Sequence, residues 1–257
     1  MEPFPHIIHQ TWKTADIPDH WKESSAQWKA LHPTWTYHYT TDEDNRAYVE
    51  KHYPEYLATY DGLSYPIQRA DMIRYVYLYD MGGVYSDLDI VPLRPLTEFV
   101  FDQSAQIYVC SSGNTPTVFT NSFMISKPKC DVWLKLLNHI KSYKKWGFTI
   151  RHLEIMNSTG PNAYTKIVTQ HMDKVSILPS KLFMRFSSAD TERLNCKEVA
   201  LQEGAFNYPL VGNSWHAWDS ALLHKISMNR SSITWIVLVL LFALLCFMYY
   251  RNYRRTA

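Results

Sequence analysis

Two carboxylates stand two residues apart, Asp87 and Asp89, at the end of the stretch Gly82-Gly-Val-Tyr-Ser-Asp-Leu-Asp89. On an extended segment alternate residues face the same way, so this spacing predicts that both acids address one site. Paired oxygen ligands suit a hard divalent cation, Mn²⁺ or Mg²⁺. Such a cation bridges a diphosphate and neutralises a phosphate leaving group. Tyr85, two residues before Asp87, points with it by the same alternation. Just upstream, Asp71 and Arg74 are i and i+3 on a helix and share one face. A local ion pair would satisfy that spacing. The double glycine and acidic pair that follow favour a helix that aims both groups at a polar ligand.

These side chains need elements to hold them. Pro66 can open a helix over 67–80, and Gly82-Gly83 ends it. Residues 84–90 read as extended, stopped by Pro92 and Pro95, which would set the acids at the C-terminal end of a strand. Open α/β sheets bind ligands at such ends. Elsewhere 6–12, 34–40, 105–111 and 121–126 read as strands. Residues 19–31, 42–60 (broken at Pro54), 131–146 and 161–172 read as helices, and 175–218 as short strands and loops. Alternating strands and helices predict an α/β fold with a mostly parallel central sheet.

Composition narrows the class. The 257 residues carry 26 Lys+Arg against 24 Asp+Glu, a net charge of +2, so binding of nucleic acid through bulk charge is not expected. Hydrophobic residues at 46% fill a large core and exclude disorder. Walker, GxGxxG, GxSxG and HExxH patterns are absent. No CxxC pair occurs, and Cys110, Cys130 and Cys196 are expected to be buried small apolar groups. His6 and His9, three apart on a strand, face opposite ways and make poor co-ligands. Lys141, Lys144, Lys145 and Arg151 form a basic patch that serves either as a solvated helix end or as a contact for anionic headgroups.

The run Ile233 to Tyr250 has Thr234 as its one polar residue. It is long enough to cross a bilayer core of roughly 30 Å. Lys225, Arg230, Arg251, Arg254 and Arg255 flank it, and Trp235, Tyr249 and Tyr250 sit near its ends, as interfacial aromatics do. A buried core helix is the other reading. The expected organisation is a globular domain over 1–225 and a membrane anchor with a basic tail over 226–257, its transmembrane helix at 233–250. The opening Met1-Glu-Pro-Phe-Pro5 predicts no secretory leader. The expected location is a single-pass membrane protein of the Golgi or endoplasmic reticulum type. The flanking charges choose no side for the domain.

Taken together, Ala70-Asp-x-x-Arg-Tyr75 and Gly82-Gly-Val-Tyr-x-Asp-x-Asp89 resemble the DXD sugar-binding region of family 32 glycosyltransferases. Ile7-Ile-His-Gln-Thr-Trp-Lys13 is similar to the family's opening. Asn121-Ser-Phe-Met-Ile-Ser126, Thr159-Gly-Pro161 and Trp215-His-Ala-Trp218 follow in the family's order, so the resemblance spans about residues 4–220. The family's usual Ser-Trp pair beyond this point is replaced by Asp219-Ser-Ala221. The family includes fungal initiating α-1,6-mannosyltransferases and inositol-phosphorylceramide mannosyltransferases.

The resemblance implies a GT-A-type fold and a metal-dependent, retaining hexosyltransferase. It implies a nucleotide-sugar donor, GDP-mannose foremost, and a lipid or glycan acceptor. By the same resemblance Asp89 is the direct metal ligand and Asp87 holds the ribose or sugar and reaches the metal through water. Asp71 and Arg74 bind the transferred sugar, Trp12 lies against the base, and Asn121 lies near the donor sugar. Gly160 and Tyr85 line the donor site. His216 and Trp218 close over the diphosphate, His216 as a further metal ligand. Glucosyl, galactosyl or N-acetylglucosaminyl transfer, or a non-catalytic sugar-binding module, are the alternatives. The acidic pair does not choose among the sugars.

Overall fold

In the structure, a computed structural model, residues 3–112, 115–145, 150–186, 190–191 and 195–212 are described. In chain order the elements are β1 (Ile7–Thr11), α1 (Lys22–Leu31), β2 (Thr36–Thr40), α2 (Asp42–His52), α3 (Leu57–Gly62), α4 (Pro66–Asp80), β3 (Gly83–Ser86) and β4 (Ile90–Pro92). There follow β5 (Ile107–Ser112), β6 (Thr115–Ser126), α5 (Asp131–Ser142), α6 (Arg151–Ser158), α7 (Pro161–Val168), β7 (Val175–Ile177), α8 (Cys196–Gln202) and β8 (Asn207–Pro209). Six strands form the central sheet in the order β2-β1-β3-β6-β5-β7. β1 runs parallel to β2 and β3, and β5 parallel to β7, while β6 runs antiparallel to both β3 and β5. The sheet is thus mostly parallel, as expected, with one reversed strand. β4 and β8 make a separate antiparallel pair.

Strand alternation divides the core into two layers. Ile8, Val84, Tyr108, Phe123 and Ile125 face one layer with Trp28 of α1. Tyr85, Val109 and Met124 face the other, which α2 to α5 and α7 cover. Helix α4 is enclosed on nearly every side, with residues 71–78 all buried. It has Pro66 in its first turn, and the Gln68 side-chain oxygen accepts from the Tyr65 N–H at 3.0 Å. It ends where Gly82 and Gly83 take φ values of +66° and +92°. A Cβ on Gly83 would stand 2.5 Å from the Ile7 carbonyl oxygen, so the backbones of β3 and β1 touch where only glycine fits.

Some expectations need correction. The expected strand over 84–90 stops at Ser86, and Asp87 to Asp89 lie in a turn closed by the Ile90 N–H on the Asp87 carbonyl at 3.1 Å. The chain leaves the central sheet here to join β8 in the second one. The two acids are therefore set by a turn and not by strand alternation. The helix expected over 131–146 ends at Ser142, and the one over 161–172 becomes a 3₁₀ turn from Thr169. Helices α6 and α8 were not expected. Both are short, and hydrophobic periodicity is weak over so few residues.

Among the described residues no helix is long and apolar enough to cross a membrane. The run 233–250, His216 and Trp218 lie outside the described residues.

Candidate active site

Helix α4 carries Asp71 and Arg74 inward, where they are 4% and 3% exposed. Arg74 has four polar partners. Its Nη2 lies 3.3 Å from Asp71 Oδ1, and its Nη1 lies 3.2 Å from Asp87 Oδ1. The same Nη1 donates to the Asn121 carbonyl at 2.8 Å, and Nε donates to the Ala70 carbonyl at 3.1 Å. The guanidinium also covers the Tyr85 ring at 4.6 Å. Asp71 is held from two sides: Asn121 Nδ2 donates to Oδ1 at 2.9 Å and Thr159 Oγ1 donates to Oδ2 at 2.8 Å. Asn121 Nδ2 also donates to the Tyr75 hydroxyl, which in turn donates to the Thr159 carbonyl. The local ion pair that the i, i+3 spacing allows is present, but it is buried and continues to the acidic turn. Removing such charges from water has a large desolvation penalty, and apolar replacements are often more stable. A buried Asp71–Arg74 pair that reaches a partly exposed Asp87 therefore reads as a site and not as a stabilising device.

The acidic turn is gripped by its backbone. The Asp87 N–H donates to the Ser122 carbonyl at 2.8 Å, and Gln10 Nε2 donates to the Asp87 carbonyl at 3.3 Å. Gln10 also donates to Ser24 Oγ and accepts from the Tyr37 hydroxyl, while Ser24 donates to the Ile90 carbonyl at 2.6 Å. The Tyr85 hydroxyl donates to Asp87 Oδ1 at 2.9 Å, the oxygen that Arg74 also approaches. The Asp87 side chain remains 30% exposed. The Asp89 carbonyl accepts from the Leu210 N–H at 2.6 Å. Its side-chain Oδ1 is buried with no hydrogen-bond partner.

Protonation follows from these surroundings. Burial lifts the Asp71 carboxyl to about 6, against the pull of Arg74. Burial, then the neighbouring Asp87, lifts Asp89 to about 7. Burial raises Asp87 as well, again opposed by Arg74. Burial works against charge on Arg74, but Asp87, Tyr85 and Asp71 outweigh it and keep it a firm cation. When all three acids are ionised, one guanidinium leaves an excess of two negative charges.

A hard divalent cation fits this excess, the orphaned Asp89 oxygen and the all-oxygen donor set. Among the described residues no group of three or more His, Cys, Asp or Glu side chains could hold a metal. Asp87 and Asp89 would thus leave coordination positions for phosphate oxygens and water.

Other expected residues divide. Trp12 is half-buried and meets Trp21 edge-on at 4.8 Å. Trp21 Nε1 donates to the Val211 carbonyl at 3.1 Å, beside Asp89, so Trp12 borders the site. Asn121 is 6% exposed, and its amide nitrogen is committed to Asp71 and Tyr75, which makes it a brace of the site. Gly160 caps α7 behind Thr159, with its N–H on the Ile155 carbonyl at 2.9 Å. His9 is buried against the Gly82 carbonyl and His38, and His6 stacks on Trp35, so neither joins the site. Part of the basic patch has local partners: Lys145 pairs with Glu154 at 2.6 Å and Lys141 donates to the Glu55 carbonyl. Cys110, Cys130 and Cys196 are free and buried. Sequence reasoning missed Gln10, Ser24, Tyr75 and Thr159. Gln10 and Thr159 lie inside stretches already singled out, but nothing local marks which residue of each reaches the site.

Residues 18–107 match the family model described as a glycosyltransferase sugar-binding region containing a DXD motif. A mannosyl phosphorylinositol ceramide synthase of Saccharomyces cerevisiae is 35% identical over 86% of this chain and 54% of its own length. Inositol phosphoceramide mannosyltransferase 1 of Schizosaccharomyces pombe is 25% identical over 95% of this chain and 72% of its own. The chain spans about half the length of the budding-yeast relatives it matches. The ligand-free glycosyltransferase domain of the YGT toxin superposes with a TM-score of 0.50 at 10% identity, over 69% of this chain and 80% of that one. That likeness concerns the fold, which is the α/β fold of a glycosyltransferase domain. The region from α1 to the start of β5 holds Asp71, Arg74 and the DXD turn, and it is this part of the chain that matches the glycosyltransferase sugar-binding region.

Proposed function

We propose that this chain is a metal-dependent, retaining glycosyltransferase that moves mannose from GDP-mannose to a lipid acceptor of the inositol-phosphorylceramide kind or to a glycan. The observation that carries the reading is the buried Asp71–Arg74 pair joined to Asp87, beside an Asp89 carboxylate with an unpartnered oxygen. The names of the curated relatives supply the choice of mannose and of acceptor.

In this reading Asp89 and Asp87 hold Mn²⁺ or Mg²⁺, with His216 as a further ligand. The bound cation offsets negative charge on the leaving diphosphate. Asp71 and Arg74 bind hydroxyls of the transferred sugar and fix its ring. Asn121, Thr159 and Tyr75 hold Asp71 in place, and Gly160 starts the helix behind them. Trp12 lies against the base, and Trp218 covers the diphosphate. The acceptor oxygen bonds to the anomeric carbon on the face the phosphate leaves. The bond from that carbon to the phosphate oxygen breaks, and the phosphate takes the acceptor's proton. No side chain is assigned as a base. Residues 1–225 form the catalytic domain. Residues 226–257 anchor it through the helix at 233–250 in a Golgi or endoplasmic reticulum membrane.

The test is sugar transfer by the detergent-solubilised full chain against a panel of nucleotide sugars, with Mn²⁺ and with EDTA. GDP-mannose should be the preferred donor and EDTA should abolish transfer. Replacing Asp87 and Asp89 with Ala should lower the rate by about a hundredfold or more, as loss of a main electrostatic stabiliser does. Undiminished transfer by that variant would sink the assignment.

A further inference from the structure

The segment Leu210–Gly212 runs directly across the acidic turn. The Leu210 N–H donates to the Asp89 carbonyl at 2.6 Å. The Val211 carbonyl accepts from Trp21 Nε1 at 3.1 Å, while its side chain is 60% exposed. Gly212 is buried, and a Cβ built on it would stand 1.8 Å from Asp89 Oδ2 and 2.7 Å from Cγ. No side chain fits there, because the carboxylate already fills the space. Gly212 has no left-handed backbone angle that would call for glycine. Close approach to the carboxylate is therefore its one evident requirement.

We propose that Gly212 is a positioning residue for the metal-binding carboxylate: its bare backbone, pinned by Leu210 and by Trp21, forms the wall that fixes how Asp89 presents its unpartnered oxygen to a divalent cation. This rests on the reading of Asp89 as a metal ligand. A wall of this kind limits rotation of the carboxylate. It also ties the acidic turn to the Trp12–Trp21 pair at the edge of the site. A methyl group at position 212 would push either the carboxylate or the strap away, and both movements disturb the ligand.

The test is Mn²⁺ binding to the full chain, followed by the loss of the free-ion electron paramagnetic resonance signal, without substrates. Gly212→Ala should bind Mn²⁺ about ten- to a hundredfold more weakly, the range seen when groups that orient a metal ligand are lost. Trp21→Phe keeps the ring and removes the hydrogen bond to Val211. It should weaken binding about fivefold, the worth of one hydrogen bond, and it keeps the idea testable if the alanine variant does not fold. Val211→Ala retains the carbonyl and should bind as the native chain does. Asp89→Asn separates the two layers of argument. If it binds Mn²⁺ as well as the native chain, the metal reading fails and the proposal fails with it. If Asp89→Asn loses the ion while folded Gly212→Ala and Trp21→Phe both keep native affinity, the proposal alone is overturned.

Discussion

Asp71 shows how a single carboxylate is committed. Oδ1 takes Asn121 and Arg74, and Oδ2 takes Thr159, so its rotation is fixed before any ligand arrives. Such preorganisation lets a polar group meet a sugar without rearranging. Thr159→Val keeps the shape and removes one donor. It should destabilise the chain by about 1–3 kcal/mol, as loss of a buried partner does, and raise KM for the donor more than it lowers kcat. Steady-state kinetics beside a urea melt check both. Arg74→Met is a stronger perturbation, because it leaves Asp71 buried without its cation. Breaking a buried pair this way destabilises by about 3–5 kcal/mol. A lower melting temperature together with lost transfer is expected, and an unshifted melt would contradict the buried array.

At the scale of elements, the site depends on how α4 gives way to β3. The helix supplies Asp71 and Arg74, two glycines turn the chain, and β3 delivers Tyr85 to Asp87. Gly83 has φ +92° and touches the Ile7 carbonyl, where β1 and β3 pair. Gly83→Ala should destabilise by about 1–3 kcal/mol from the backbone conformation alone, with the contact adding more. Equilibrium denaturation measures this, and a change below half a kcal/mol would mean that the two strands separate easily there. This transition was legible in the sequence, since a helix, a double glycine and an extended run carry clear local signals. The turn over 87–89 was not. It forms because the chain leaves one sheet for another, and its partner β8 lies far along the chain.

At the scale of the whole molecule, the interior sets a pH limit. His9 Nε2 meets the Gly82 carbonyl, which can only accept, so that nitrogen carries the proton. Nδ1 then accepts from His38, which burial also biases toward the neutral form, while the Tyr77 ring stacks against the imidazole. A second proton on His9 has no acceptor. Burial lowers its pKa from 6.5 to about 3. In that window the unfolded chain binds a proton that the folded chain refuses. Stability is therefore full above pH 6.5 and falls as pH drops toward 3, by at most about 1.4 kcal/mol per unit from this residue. Urea midpoints for the native chain and His9→Gln across this range should diverge in slope, the variant's being shallower. Parallel slopes would remove His9 from the account.

The sequence by itself determined the α/β alternation, the likeness to a DXD sugar-binding region and the candidate residues for the chemistry, because each is written in short-range patterns. Asp71 and Arg74 are one helical turn apart, and the acidic pair follows its glycines directly. Only the tertiary structure decided which of these groups meet and what restrains them. Thr159 joins Asp71, Gln10 joins the Asp87 carbonyl, and Gly212 lies against Asp89, each across a long stretch of chain. A hydroxyl, an amide and a glycine are common residues whose meaning comes from their neighbours. Packing chooses those neighbours, and no spacing in the sequence records the choice.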